Sequence, residues 1–291
     1  MTSKSNVIYT ARDQQIHELL ALTPLDTHQL LRASELFEQP FPADRVVRRR
    51  MQGHAAAGWV QTFTYATKTA GQLNYYQLAP EGFRMLHGPD APLPKRSAFL
   101  EVSPSLERHT RHLADVIVQT NIAARRLGVE IQEQVGENRL TLVLGDREQK
   151  PDYSFRLATR DGLYTYYDEL DEATEPIASN KQRESLEAKI RFHEDYQNAT
   201  GERYRVRMIF AKASPRMVQF LNLAHKHATR QRRIFFAVLL ENYLKHGSPL
   251  TAPIFVDHFH QITPLVKASN SHRQRAFPTF AEILAKPAAV C

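Results

Sequence analysis

Apolar residues recur at helical spacing in two segments near the start of the chain. In the segment 10–25, Ile16, Leu19 and Leu20 fall on one face, which predicts a first amphipathic helix. The segment 26–37 repeats this spacing after a short break and begins with an aspartate, a residue that favours helix N-termini. The pattern therefore predicts two helices joined by a tight turn.

A third helical segment, 43–60, is strongly basic on one side. Val46, Val47 and Met51 can face a core, which leaves the polar side chains of this segment in solvent. Those polar side chains are Arg45, Arg48, Arg49 and Gln52. Guanidinium groups bind guanine edges and phosphates, so the segment is predicted to be a helix that reads DNA. A solvated arginine face without a partner is the alternative.

Alternating apolar and polar residues follow the third helix. The segments 58–66 and 73–79 alternate as strands do, and 67–72 has turn residues, so a hairpin is predicted. Lys68 would lie near the hairpin tip, either as a contact to DNA or as an ordinary exposed turn lysine. Three helices and a hairpin predict a winged helix-turn-helix, so we expect residues 1–90 to form a DNA-binding domain.

Prolines mark the end of this first domain. The segment 91–104 is proline-rich and lacks periodicity, which predicts an interdomain linker. From 105 to 230 the pattern gives a long helix, several strands, a helix, a strand and a helix, as in a mixed sheet flanked by helices. The predicted fold class is therefore α/β, of the α+β type. Residues 231–291 form a basic C-terminal extension to which the pattern assigns no structure.

Within the second domain the pattern gives approximate element limits. Strands are predicted at 129–134, 138–145, 151–159, 162–171 and 204–211, and helices at 105–129, 180–200 and 214–229. The strands 151–159 and 162–171 form a hairpin, because Asp161 and Gly162 suit a tight turn.

Composition argues against membrane-spanning and disulfide-bonded classes of protein. Hydrophobic residues make up 42% of the chain and charged residues 24%, which is ordinary for a soluble protein. The most apolar run, 233–244, is too short to span a bilayer and contains Glu241. The single cysteine, Cys291, cannot form an internal disulfide or a cysteine zinc cluster. The first 15 residues lack an apolar export signal, so a cytoplasmic location without a membrane partner is expected.

The net charge of +7 is unevenly distributed. Residues 151–203 contain 7 basic and 12 acidic residues, whereas residues 204–291 contain 13 basic and 3 acidic ones. A basic surface attracts phosphate backbones, and clustered carboxylates repel them unless a cation intervenes. The distribution suits a metal-dependent nucleic-acid site; a solvated acidic face beside a solubilising basic tail is the alternative.

Two acidic positions of the predicted hairpin can converge. Asp152 begins one strand and Glu169 lies near the end of the next, so both can reach one edge and bind Mg²⁺ through carboxylate oxygens. Because side chains alternate along a strand, Glu169 and Asp171 share a face, while Asp168 points away. Asp171 is therefore predicted to be a second ligand or an orienting group beside Asp152 and Glu169. An acidic turn without a metal is the alternative.

These acids carry a first resemblance. Pro151–Asp152 and the segment "ELD" at 169–171 resemble the motif of the PD-(D/E)xK nuclease superfamily. The resemblance implies a restriction-endonuclease-like fold with Asp152, Glu169 and Asp171 as metal-binding and catalytic residues. Asp171 stands where the superfamily usually has lysine, and Lys189 on the next helix is the candidate for that role.

The chain as a whole resembles the plasmid replication-relaxation family. The resemblance is carried by "LAPEG" at 78–82, "RHLADV" at 111–116, the "PD" pair, "ELDEATEP" at 169–176 and the later helix with Lys189 and Tyr196. It implies a protein of plasmids or mobile elements that binds double-stranded DNA and acts in replication or mobilisation control. Two alternatives follow for the second domain: a Mg²⁺-dependent DNA endonuclease, or a degenerate nuclease fold of a non-catalytic regulator, used for homodimerisation or partner binding.

Overall fold

The chain folds into two compact units, Met1–Ile122 and Ala123–Cys291. A computed structural model describes residues 8–66, 73–174, 176–177, 185–212, 215–228 and 232–267. Among the helices of these residues, none is long and apolar enough to cross a membrane. Helix α5, Glu107–Leu127, contains the division between the two units.

The first unit combines short helices with a small antiparallel sheet. Its elements are α1 (Ala11–Leu22), β1 (Leu25–Asp26), α2 (Thr27–Ala33), α3 (Asp44–Ala56), β2 (Val60–Tyr65), β3 (Leu73–Leu78) and α4 (Pro80–His87). The three strands pair in the order β1-β3-β2. The two helices, the basic third helix and the two long strands agree with the sequence pattern, whereas the two-residue β1 has no sequence signal of its own.

Local residue choices explain where these helices begin and end. Asp26 caps α2 by accepting a hydrogen bond from the Gln29 backbone amide, and the side-chain oxygen of Gln29 accepts one from the Asp26 amide. Pro80 at the first position of α4 costs no hydrogen bond, because an N–H at this position would have no acceptor within the helix. Gly88 ends α4 with a positive φ of 101°, a conformation that glycine adopts without steric cost.

The segment 91–104, predicted as a linker, packs against the first unit. It contains a 3₁₀ turn, Arg96–Phe99, and Phe99 is buried in the same core as Phe83. The Gln77 amide donates to the Ala98 carbonyl at 2.6 Å, and the Tyr75 hydroxyl accepts from the Val102 amide at 2.9 Å. This segment is therefore packed on the first unit, whereas the sequence predicted a linker between domains.

The second unit is built on a mixed sheet. Its elements are β4 (Glu130–Val135), β5 (Leu142–Leu144), β6 (Arg147–Gln149), β7 (Tyr153–Thr159), β8 (Gly162–Asp171), α6 (Leu186–Thr200), β9 (Tyr204–Phe210), α7 (Pro215–His227), β10 (Phe235–Leu239), α8 (Leu240–Lys245), β11 (Phe255–Asp257) and β12 (Ile262–Thr263). Seven strands form one sheet in the order β12-β11-β10-β9-β8-β7-β4. Strands β8, β9 and β10 are parallel, and the remaining neighbours are antiparallel. This mixed α+β architecture confirms the predicted fold class.

Two parts of the second unit differ from the sequence pattern. The apolar run 138–145 forms no strand of the large sheet; it contributes β5 to a separate hairpin with β6. The hairpin arises because Gly145, with φ of 62°, allows the chain to turn before Arg147. Residues beyond 231, to which the pattern assigned no structure, add β10, β11 and β12 to the sheet.

Helices α6 and α7 cover one face of this sheet. Ile190 of α6 and Phe220 of α7 are buried in one apolar core with Val206 and Met208 of β9. The alternation along β9 places Arg207 on the opposite face, where the hydroxyl of Tyr243 from α8 accepts from it at 3.2 Å. The sheet therefore has two distinct faces, and Glu169 and Asp171 point to the face that α6 and α7 cover.

A buried polar network fixes α3 against α1. Asp13 is fully buried; its Oδ1 lies 2.8 Å from Nε2 of buried His54 and accepts from Nε of Arg50 at 2.6 Å. Thr10 donates to Oδ2 through its amide and its hydroxyl. Burial alone would raise the pKa of Asp13, but the bonds from His54, Arg50 and Thr10 hold that pKa well below its usual range. The network thus holds the side of α3 that carries Arg50 and His54 against α1.

We expect Asp13→Ala to destabilise the first unit by about 3–5 kcal/mol, because it leaves the Arg50 charge without its buried partner. Trp59 is the single tryptophan and packs 5.3 Å from His54, so its fluorescence during urea unfolding reports on this unit. Glu18→Ala, an exposed change on the same helix, should alter stability by roughly 0.5 kcal/mol or less. Equal unfolding midpoints for the two variants would contradict the structural role of Asp13.

The buried side chain of His17 should make the first unit less stable in acid. Burial lowers its pKa to about 4, with His54 acting in the same direction and Asp13 opposing. The unfolded pKa is about 6.5, so between these values the unfolded chain binds a proton that the folded chain does not. Stability should therefore fall as pH drops from about 6.5 to 4, by roughly 2–3 kcal/mol for this group.

The matched variant is His17→Gln, which keeps a polar side chain and removes the titrating proton. Its urea unfolding, again followed through Trp59, should depend less steeply on pH over the same interval. Identical pH slopes for the wild type and His17→Gln would exclude His17 as the source of acid sensitivity.

Candidate functional site

Strand β8 presents buried carboxylates to both faces of the sheet. Asp168 lies opposite Arg207 in the parallel register with β9, and Arg207 Nε donates to Asp168 Oδ1 at 2.7 Å. Glu169 and Asp171 point to the other face, which α6 and α7 cover. The alternation expected from the sequence is therefore observed, and Asp168 belongs to a separate, structural ion pair.

The hairpin register brings Asp152 to Glu169. Tyr153 pairs with Asp168, so extending the antiparallel register by one residue sets Asp152 opposite Glu169 on the same face. The Asp152 amide donates to the Asp168 carbonyl at 3.0 Å, and Oδ2 of Asp152 accepts from the Leu170 amide at 2.7 Å. These two hydrogen bonds fix Asp152 and its carboxylate at the end of β8.

Glu169 is held by one donor on each oxygen. Its Oε2 accepts from Lys189 Nζ at 2.9 Å, and its Oε1 accepts from Gln149 Nε2 at 2.9 Å. Glu169 is 1% exposed. Burial raises the pKa of Glu169 to about 7; the Lys189 ammonium opposes this rise, and the charge of Asp152 adds to it. Asp152, Glu169 and Lys189, all predicted site residues, therefore form one electrostatic group.

Asp171 has a different partner. Nε and NH2 of Arg216, in the first turn of α7, donate to its two oxygens at 2.5 and 2.8 Å. A bidentate guanidinium pair of this kind occupies both carboxylate oxygens. A cation at Asp171 would have to share these two oxygens with Arg216 or displace it, so the role of Asp171 as a ligand stays a prediction with this added condition.

Three residues near the acids had no part in the sequence-based site. Gln149 and Arg216 are described above, and Glu137, in the turn after β4, offers a carboxylate oxygen within 4.8 Å of one from Asp152. Gln149 lies three residues before Asp152, so proximity in sequence was a signal for it. Arg216 and Glu137 are brought in by tertiary packing and by an irregular turn, for which the sequence pattern gives no cue.

The arrangement is suited to a hard divalent cation. Carboxylate oxygens are the ligands that Mg²⁺ prefers, and a separation within 4.8 Å can be bridged by one cation. Burial is the main reason that the pKa of Glu169 is raised, and the charge of Asp152 adds to it, so a cation beside both carboxylates would favour the ionised form of Glu169. Asp152 and Glu137 are therefore the pair that one cation could bridge. Glu169, beside Asp152 in the hairpin register, is the further carboxylate that could join them.

The second candidate surface is the outer face of α3. Its basic and polar side chains are exposed, as the helical spacing predicts: Arg45, Arg48, Arg49 and Gln52. Arg48 lies 3.5 Å from Asp44, which also lies 3.2 Å from His28. Arg45 and Arg49 form no ion pair with any residue that the structure describes, so their charges face solvent. Lys68, predicted at the hairpin tip, lies outside the described residues.

Comparisons with known proteins give two findings and one absence. No curated protein matches the chain significantly. The crystal structure of protein VC1899 from Vibrio cholerae is similar at 12% sequence identity and a TM-score of 0.27; the match covers 82% of this chain and 55%, about half, of that one. The family described as Replication-relaxation matches residues 16–210, which include α3, Asp152, Glu169 and Lys189. The chain belongs to the replication-relaxation family.

Proposed function

We propose that this protein binds double-stranded DNA through the exposed face of α3. The observation that carries the proposal is the position of Arg45 and Arg49, which project from a helix whose other face is anchored by the Asp13 network. The order α1-β1-α2-α3-β2-β3, with a three-stranded sheet, supports a winged helix-turn-helix. In helix-turn-helix proteins the recognition helix enters the major groove, where arginines contact bases and phosphates.

The family supports a role in replication of plasmids or other mobile elements. A DNA-binding unit joined to a second folded unit suits a protein that locates a site on DNA and acts there, in control of replication or of mobilisation. The charge distribution is compatible with this role, because a net charge of +7 favours association with phosphate backbones.

A second function, Mg²⁺-dependent cleavage of DNA, is favoured by the group at the end of β8. Asp152 and Glu169 supply carboxylates. The PD-(D/E)xK motif usually has a lysine at the position of Asp171, and here Lys189 on α6 supplies the ammonium instead. When bound, a divalent cation polarises a phosphodiester and lowers the pKa of a water molecule. Lys189 contacts Glu169 from α6, so it lies where it can orient a water or stabilise negative charge on a phosphate.

The alternative function is that of a non-catalytic regulator, and Asp171 favours it. The residue at this position is an aspartate held by Arg216, which is a structural pairing. A fold that keeps its acids in ion pairs can serve in homodimerisation or partner binding without chemistry. The two alternatives differ in one measurable property, the uptake of a divalent cation.

We expect the double variant Arg45→Ala, Arg49→Ala to bind duplex DNA about tenfold more weakly or worse. Each lost phosphate contact should also reduce the slope of log K against log salt by roughly 0.9, so the variant should be less sensitive to salt. Fluorescence anisotropy with a labelled duplex across a salt titration measures both quantities.

The control for DNA binding is Arg156→Ala, which removes a partly exposed arginine that is paired with Glu133 in the second unit. It should leave the salt slope unchanged. Equal affinities and equal slopes for the wild type and the double variant would rule out α3 as the DNA-binding helix.

We expect Asp152→Asn to weaken Mn²⁺ or Mg²⁺ binding strongly, because it removes one charged ligand and keeps an oxygen that can accept from the Leu170 amide. Isothermal titration calorimetry measures the affinity, and incubation with supercoiled plasmid measures nicking. Asp161→Asn, in the exposed turn of the same hairpin, is the matched control and should behave as the wild type.

The outcomes separate the two functions. Metal-dependent nicking that Asp152→Asn abolishes establishes the nuclease. Metal binding without nicking, or DNA binding without metal uptake, supports the regulator, and the latter result excludes Mg²⁺ as a cofactor of this site.

A further inference from the structure

The β5–β6 hairpin reaches the acidic group through the side chain of Gln149. Gln149 is the last residue of β6, and its amide donates to Oε1 of Glu169 at 2.9 Å. Gln149 is half-buried, whereas its neighbour Glu148 is exposed. Side chains alternate along a strand, so Gln149 faces β8 while Glu148 faces solvent. The direction of Gln149 is therefore set by the hairpin and not by a flexible loop.

The hairpin itself is anchored to α6. Leu142 of β5 is 4% exposed and belongs to the core that contains Ile190. Arg147 lies on β6, two residues before Gln149. Its NH2 donates to Oδ2 of Asp195 on α6 at 2.8 Å. Since α6 also carries Lys189, the two donors to Glu169 stand on elements that pack against each other.

We propose that Gln149 is a positioning residue of the acidic site: it orients Glu169 toward a bound divalent cation. This inference rests on the proposed metal-dependent function. It adds a residue outside the motifs to which the sequence points, and it gives the separate β5–β6 hairpin a role.

The physical reason lies in the difference between the two donors. The ammonium of Lys189 repels a divalent cation, so its hold on Glu169 competes with metal binding. The neutral amide of Gln149 has no net charge and can keep Oε1 fixed while Oε2 is given to the cation. Outer partners of this kind set the orientation of ligand carboxylates, and their loss typically weakens metal binding 10–100-fold.

The test uses Gln149→Met, which keeps the length of the side chain and removes the amide, in the full-length protein. Mn²⁺ affinity, measured by calorimetry, should weaken about tenfold or more. Glu148→Met on the same hairpin is the matched control and should retain the affinity of the wild type. Circular dichroism melting of each variant checks that the fold is kept.

A second readout separates positioning from a merely structural effect. If the wild type nicks plasmid DNA, Gln149→Met should lower kcat with little change in KM for DNA, because the DNA-binding helix is untouched. If Gln149→Met does not fold, Gln149→Asn replaces it: the amide is retained but is one methylene too short, and the same weakening of Mn²⁺ affinity is expected.

The results distinguish this inference from the function on which it rests. Loss of Mn²⁺ affinity in Asp152→Asn but unchanged affinity in folded Gln149 variants overturns the role of Gln149 alone. Absence of Mn²⁺ binding by the wild type overturns both. Weakened affinity in Asp152→Asn and in the Gln149 variant, with Glu148→Met unchanged, supports both.

Discussion

Three carboxylates within four residues of β8 impose the constraint on which the second unit depends. Asp168, Glu169 and Asp171 are 1%, 1% and 5% exposed. A buried carboxylate without a partner costs several kcal/mol, so each one requires a cation or hydrogen-bond donors in contact. Here each has a cation. The cations come from β9, α6 and α7, in that order: Arg207, Lys189 and Arg216. Packing of these three elements around β8 is therefore inseparable from neutralising its charge.

A buried carboxylate also constrains the first unit, where it fixes one face of α3 and leaves the other face exposed. A buried Asp13 binds Arg50 and lies against His54, both on one face of α3, and this leaves the other arginines of α3 in solvent. In sequence, Arg50 is continuous with Arg48 and Arg49 and looks like part of one basic run. Helical spacing separates them, because 100° per residue turns Arg50 toward α1.

Sequence reasoning reached the features that depend on local periodicity. The helices α1 to α3 and α5 to α7, the hairpin at Asp161 and Gly162, and the shared face of Glu169 and Asp171 all follow from helical spacing, alternation and turn chemistry. It missed features fixed by contacts distant in sequence. Arg216 reaches Asp171 across 45 residues, and Asp13 reads as an ordinary acid of a helix start, so neither pairing leaves a periodic signal.

The three ion pairs of β8 are not equivalent, and their differences locate the chemistry. Arg207 with Asp168 is 0% and 1% exposed, so solvent and ions have no access to that pair. Lys189 is 18% exposed, and an ammonium is a flexible point charge, whereas the Arg216 fork binds Asp171 through two oxygens. Glu169 is therefore the β8 carboxylate whose cation is most readily exchanged, and Asp152 stands directly opposite it in the hairpin register. A divalent cation that entered beside Asp152 would meet the least firmly compensated negative charge of the strand, which is the electrostatic reason to propose a metal site there and not at Asp168 or Asp171.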